Sequence, residues 1–124
     1  MSIQPNLSGW RQFTFPQLVT NSTSWMTVGH FGYEGSDILG IPTKIKIIAG
    51  IIDAGAVAGV RVYDLTNVLQ IAKSLTITDD YPDFCDIGTL TNVSTGAAVW
   101  GVQVKKVSGN PSDEVAAGSL ALKF

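Results

Sequence analysis

A chain of 124 residues, 45% hydrophobic and 15% charged, is long enough for one domain with a real core, since about two-thirds of the unfolded surface can be buried at this size. Its net charge of −2 and eight scattered basic residues, of which only Lys105 and Lys106 are adjacent, lack the basic stripe of a nucleic-acid binder. The single cysteine, Cys85, excludes an internal disulfide and any CxxC or Cys/His zinc set, and 13 glycines with so little charge suit a β-rich chain with many turns.

The opening MSIQPNLSGW has no basic region followed by an apolar run, so it is expected not to be a secretory signal. The Asn-x-Ser/Thr sites at Asn6, Asn21 and Asn92 then read as polar loop residues. WRQFTFPQLV predicts a short strand interrupted by Pro16, which belongs at a sheet edge. Aromatic residues concentrate in this part of the chain: Trp10, Phe13, Phe15, Trp25, Phe31 and Tyr33. Terminal segments fray unless tied down, so residues 1–16 read as an N-terminal docking arm on a single 1–124 domain. The arm either docks on its own sandwich, or uses Trp10, Phe13 and Phe15 as interface residues against a neighbouring copy or a stacked sugar ring.

STSWMTVGHFGYEG predicts a strand that runs into a glycine-rich loop through Gly32 and Gly35. It carries His30, the only histidine, and nothing local completes a triad around it, so it reads as structural. KIKIIAGIIDAGAVAGVRVYD, from Lys44 to Asp64, has three readings. A membrane span needs about 20 apolar residues, and Asp53 breaks the run. A phosphate loop needs Lys and Ser/Thr after its second glycine, where Ala56 and Val57 stand. Two strands fit best: Lys44 and Lys46 out with Ile45 and Ile47 in, then a turn at Asp53-Ala54-Gly55, then Val60 and Val62 opposite Arg61 and Tyr63. The small residues of AGAVAG hint at close backbone approach or a bulge.

VLQIAKSLTIT matches a strand with Leu69, Ile71, Leu75 and Ile77 on one face and Lys73 as the exception, in preference to a helix. DDYPDFCD is expected to be a loop. It gathers Asp79, Asp80, Asp83 and Asp86, so Asp79, Asp80 and Asp83 are candidate ligands for a calcium ion. The DxDxDG spacing is absent, and adjacent carboxylates on an extended segment point to opposite faces, so a solvated turn competes with a metal and a catalytic pair is disfavoured. FCDIGTLTNVSTG predicts a strand and turn, AAVWGVQVKKV a long strand with Trp100, Val102 and Val104 on one face, and SGNPSDE a loop. VAAGSLALKF closes the chain with Leu120, Leu122 and Phe124 expected inward.

About eight strands at this spacing predict an all-β, jelly-roll-like antiparallel sandwich, with an immunoglobulin-like sandwich as the alternative. The segments KIKIIAGI, VRVYDLTNVLQIA, DIGTLTN and AAVWGVQVKKVSGN, spread over Lys44 to Asn110, resemble the small β-sandwich virion proteins of tailed bacteriophages. Head decoration (cement) proteins and head-fibre or tail accessory proteins are the types it resembles. The resemblance implies a non-enzymatic subunit with no catalytic residues, often a homotrimer, that binds a major capsid protein on the outside of a head or sits on a tail. No nucleic acid, membrane or cofactor is expected, and assembly is expected in a reducing host cytoplasm. The competing class is a carbohydrate-binding, lectin-like module, with Trp10, Trp25 and Trp100 as stacking platforms and the Asp79–Asp86 loop holding calcium.

Overall fold

A computed structural model describes residues 10–124. Residues 1–9 of the expected docking arm, with Asn6, lie outside the described residues. The strands are β1 (Trp10–Phe13), β2 (Leu18–Thr20), β3 (Met26–Tyr33), β4 (Lys44–Ile51), β5 (Val57–Asp64), β6 (Leu69–Ile77), β7 (Asp83–Ile87), β8 (Ala98–Ser108) and β9 (Val115–Lys123), with one helical turn, α1 (Ser36–Leu39). One sheet runs β1-β9-β4-β7, with β2 also on β9; the other runs β3-β8-β5-β6. Every pairing between these strands is antiparallel.

β1 pairs with the end of β9 and β2 with its start. They form one edge strand broken around Pro16, whose ring removes a ladder donor. Counted so, the described residues form the eight strands expected. Only β5 and β6 are both consecutive and paired. The other pairings join distant parts of the chain, which is the double Greek-key order of a jelly roll.

Alternation fills the space between the sheets. Val60, Val62, Trp100, Val102 and Val104 from one sheet meet Ile45, Ile47, Leu120 and Leu122 from the other, all fully buried or nearly so. Trp100 stacks on Tyr33 at 4.1 Å and meets Phe31 edge-on at 6.1 Å. β4 and β9 are buried on both faces because the segment before β7 folds over their outer side. Ile51 N–H donates to the Asp79 carbonyl at 2.9 Å, and Tyr81 N–H to the Ile51 carbonyl at 3.0 Å. Gly50 sits directly beneath that segment, where a Cβ would lie 2.4 Å from the Tyr81 nitrogen. The Asp53–Gly55 turn, with Gly55 at φ 91°, crosses between the sheets, so β4 and β5 do not pair with each other.

Four expectations are corrected. The loop expected over DDYPDFCD ends at Pro82: Phe84–Ile87 form the strand expected from FCDI, and Asp83 joins them because DFCDI as a whole pairs with β4. Gly32 continues β3 opposite Val99 instead of opening the loop. In β6 two register shifts reset the alternation, so Ala72 comes inward opposite Val62 while Leu69 is exposed and Leu75 lies over Gly59 on the outer side. Lys73 was the sign of this: it faces outward opposite Arg61. Phe124 lies one residue past β9 and is 40% exposed, because no facing strand remains to cover it.

Candidate interaction surfaces

The two ends of the sandwich differ in chemistry. One end carries the β3–β4, β5–β6 and β7–β8 connections, residues 34–43, 65–68 and 88–97. Glu34 and Asp37 are the only ionisable side chains in these three segments. Seven of the eleven exposed large hydrophobic residues among those described lie at this end. Ile38, Val68 and Ile41 are 76%, 66% and 59% exposed, and Leu65, Leu69, Val99 and Phe124 stand beside them. The opposite end carries the β4–β5, β6–β7 and β8–β9 connections, with Asp53, Asp79, Asp80, Asp113 and Glu114.

Hydrogen bonds brace the apolar end, and Leu39, Leu90 and Val93 pack its connections onto the main core. Ser36 N–H donates to the Ser94 carbonyl at 3.0 Å, which ties α1 to the β7–β8 loop. Leu65 N–H donates to the Val99 carbonyl at 2.8 Å, and Val99 N–H to Thr66 Oγ1 at 2.9 Å. Tyr33 donates its hydroxyl to the Gly40 carbonyl at 2.8 Å. The β5–β6 tip is organised by Asp64, which is fully buried. Its carboxylate accepts from Thr66 N–H at 2.9 Å, Asn67 N–H at 2.8 Å and Asn67 Nδ2 at 2.8 Å. Three donors thus compensate a charge taken out of water. The turn ends on Val68 at φ 58°, a strained conformation for a β-branched residue. A cleft of about 600 Å³ between Ile41, Lys44 and Lys46 on one side and Ile87, Thr89 and Leu90 on the other adjoins this end.

Phe13 is half-buried and stacks on core Phe31 at 4.3 Å. Phe15 covers Gly29, where a Cβ would sit 2.3 Å from its ring. Trp10 lies on the outer side of the other sheet with Ile48 and Ala121, the Lys46 and Lys123 ammonium groups 5.7 and 5.9 Å from its ring. Trp100 is fully buried, so it cannot be a sugar platform. His30 is exposed on β3 opposite Gly101.

Among the described residues, no three His, Cys, Asp or Glu side chains come together as metal ligands. Asp79 and Asp80 are exposed, Asp83 accepts from Phe84 N–H at 2.9 Å, and Asp86 is paired with Lys46 at 2.7 Å. Asp79, Asp83 and Asp86 do rim a hollow of about 210 Å³ beside half-buried Cys85. Burial pushes the Cys85 thiol pKa up, the neighbouring carboxylates add to the rise, and a hydrogen bond with the Ser74 side chain opposes it.

No protein-family model matches this chain, and no curated protein does. Its fold is similar to a chain in a structure of infectious bursal disease virus, Gt strain, with a TM-score of 0.51 at 12% identity. It is equally similar to the VP2 subviral particle of infectious bursal disease virus, with a TM-score of 0.51 at 13% identity. Each alignment covers 98% of this chain and 36% of the other. At that identity the likeness shows the fold: a jelly-roll sandwich, spanning about a third of the chains it matches.

Sequence reasoning passed over the group that dominates the outer side of the β3-β8-β5-β6 sheet. The Arg61 guanidinium lies 4.5 Å from the Trp25 ring and 4.2 Å from the Tyr63 ring, and the Lys105 ammonium lies 4.7 Å from Trp25. Arg61 Nε donates to Gln103 Oε1 at 2.7 Å, and Gln103 Nε2 donates to Thr27 Oγ1 at 3.1 Å. The signal was present as Arg61 and Tyr63 alternating with Val60 and Val62. Strand register, which pairs Arg61 with both Gln103 and Lys73, assembled it.

Proposed function

We propose that this chain is a non-enzymatic structural subunit of a virion, a decoration or cement protein that docks its uncharged loop end on the outer surface of a head built from a major capsid protein. The observation that carries this reading is the apolar end itself. Ile38, Ile41 and Val68 are the most exposed large hydrophobic residues described, and a hydrogen-bonded frame holds them out. Such a preorganised surface loses little entropy on docking, and exposed apolar clusters of this kind mark interaction sites. The likeness of the fold to chains of a virus and of its subviral particle supports the same reading. A homotrimer, formed in the host cytoplasm and placed on the head, is the assembly proposed; a tail position is the alternative.

The test is sedimentation of the purified protein with empty heads of the virus that encodes it. Wild type should pellet with the heads and raise their melting temperature, and light scattering should give the mass of a trimer. Ile38→Asp with Ile41→Asp should weaken head binding by more than about a hundredfold, given that two buried isoleucines contribute roughly 1.5–3 kcal/mol each, with an unchanged circular dichroism spectrum. Equal pelleting of wild type and variant, or none by wild type, would refute the docking end.

A further inference from the structure

We propose that the outer face of the β3-β8-β5-β6 sheet binds a carboxylate-bearing polysaccharide, with Arg61 as the anchor. This surface is separate from the apolar end, and the inference does not rest on the virion reading.

Three cations, Arg61, Lys73 and Lys105, point outward from adjacent strands. None takes part in an ion pair among the described residues. The only acidic residue in the four strands is Asp64, which is buried and already holds three donors. A chain with net charge −2 therefore presents one face that is purely cationic. Its complement is an anion.

Arg61 selects the kind of anion. Tyr63 and Trp25 flank its guanidinium, and Gln103 accepts from Nε. The two terminal nitrogens donate to no group among the described residues, so they remain for a ligand. A guanidinium fixed in plane matches a planar carboxylate in two parallel hydrogen bonds. Its orientation is set before the ligand arrives, which lowers the entropy lost on binding.

The surroundings favour a sugar chain over an acidic protein. A protein interface has an apolar, water-excluding core. Here the side chains nearest Arg61 are polar, Thr27, Gln103 and Gln70, with His30 further along β3, and the apolar contact is limited to Leu75 and Val107 over Gly59. The Thr27 hydroxyl and the Gln70 amide suit sugar hydroxyls. Lys73 and Lys105 lie on either side of Arg61 across the strands, so successive carboxylates of an extended chain meet successive cations.

The experiment is calorimetric titration at low salt with polygalacturonate, with dextran as the neutral control and polyglutamate as the acidic-peptide control. Wild type should bind polygalacturonate and not dextran. Arg61→Gln should lose about tenfold or more in affinity, the value of a charge-assisted hydrogen bond. Arg61→Lys should stay weak, because an ammonium cannot pair in two parallel bonds. Lys105→Gln should fall by less, and Lys44→Gln, on the other sheet, should bind as wild type. No binding of polygalacturonate would overturn the proposal, and so would full affinity in Arg61→Gln. Equal affinity for polyglutamate would assign the face to an acidic protein. An equal fall in Lys44→Gln would reduce the effect to diffuse charge. If Arg61→Gln melts early, Arg61→Lys and Lys105→Gln carry the same comparison.

Discussion

Asp64→Ala is the sharpest test of how the apolar end is held. The carboxylate is fully buried and accepts three hydrogen bonds, two from backbone N–H groups and one from the Asn67 amide. Hydrogen bonds to a charged group contribute about 1.5–3 kcal/mol each. Thr66 and Asn67 are exposed, so water replaces part of what is lost. The net loss should be about 3 kcal/mol, and for a domain of this size the melting temperature should fall by roughly 10 °C. Asp64→Asn keeps an oxygen for the two N–H groups but sets its own amide against that of Asn67, so it should lose about half as much. Hydrogen exchange should speed up first at the amides of Thr66 and Asn67. Asp37→Ala, on the exposed turn of α1, is the control and should stay within about 0.5 kcal/mol. Asp64→Ala within that same margin would refute the bracing role, and so would an Asp64→Asn variant as damaged as the alanine.

Two further outcomes follow from the same structure. Val68 sits at φ 58°, which costs a branched side chain about 1–2 kcal/mol, so Val68→Asn should raise the melting temperature by a few degrees while weakening head binding; a lower melting temperature would contradict the strain argument. At alkaline pH, burial holds the Tyr33, Tyr81 and Cys85 pKa values above their ordinary ones. The folded state therefore keeps protons that the unfolded chain has released, and stability should fall as pH rises past about 8.5 to 10. The urea midpoint should drop between pH 8 and pH 10, and less so in Cys85→Ala; a flat midpoint would show that these groups are not desolvated.

Alternation made the sandwich legible. In β4, β5 and β8 the large inward-facing residues fall on every second position, and KIKI, VRV and VWGVQV carry that period. It failed where backbone geometry shifted the phase. The register shifts in β6 moved Leu69 and Leu75 outward, and no side-chain pattern announces a bulge in advance. The density of Asp also carried the loop expected over DDYPDFCD too far, into the strand that FCDI itself announces. An edge strand tolerates charge on its open side, and β7 is such an edge. The apolar end was illegible for a different reason. Ile38 and Val68 come from two connections and Val99 from the start of β8, all far apart in sequence, and non-local pairing alone brings them to one place. The same holds for Trp25, Arg61 and Lys105. Trp25 looked like a bare stacking platform until the register put two cations against its ring.

The jelly-roll order also separates the two proposed surfaces. Loops 34–43, 65–68 and 88–97 close one end of the strands, whereas Arg61, Lys73 and Lys105 lie along the outer side of one sheet. A partner seated on the end leaves the middle of that sheet open, and the acidic connections at the far end then face away from the partner. The surfaces should therefore fail independently. Arg61→Gln should pellet with heads as wild type does, and the Ile38→Asp, Ile41→Asp pair should bind polygalacturonate as wild type does. Joint loss in either variant, with both still folded, would mean that one surface serves both roles and that the separation argued from the strand order is wrong.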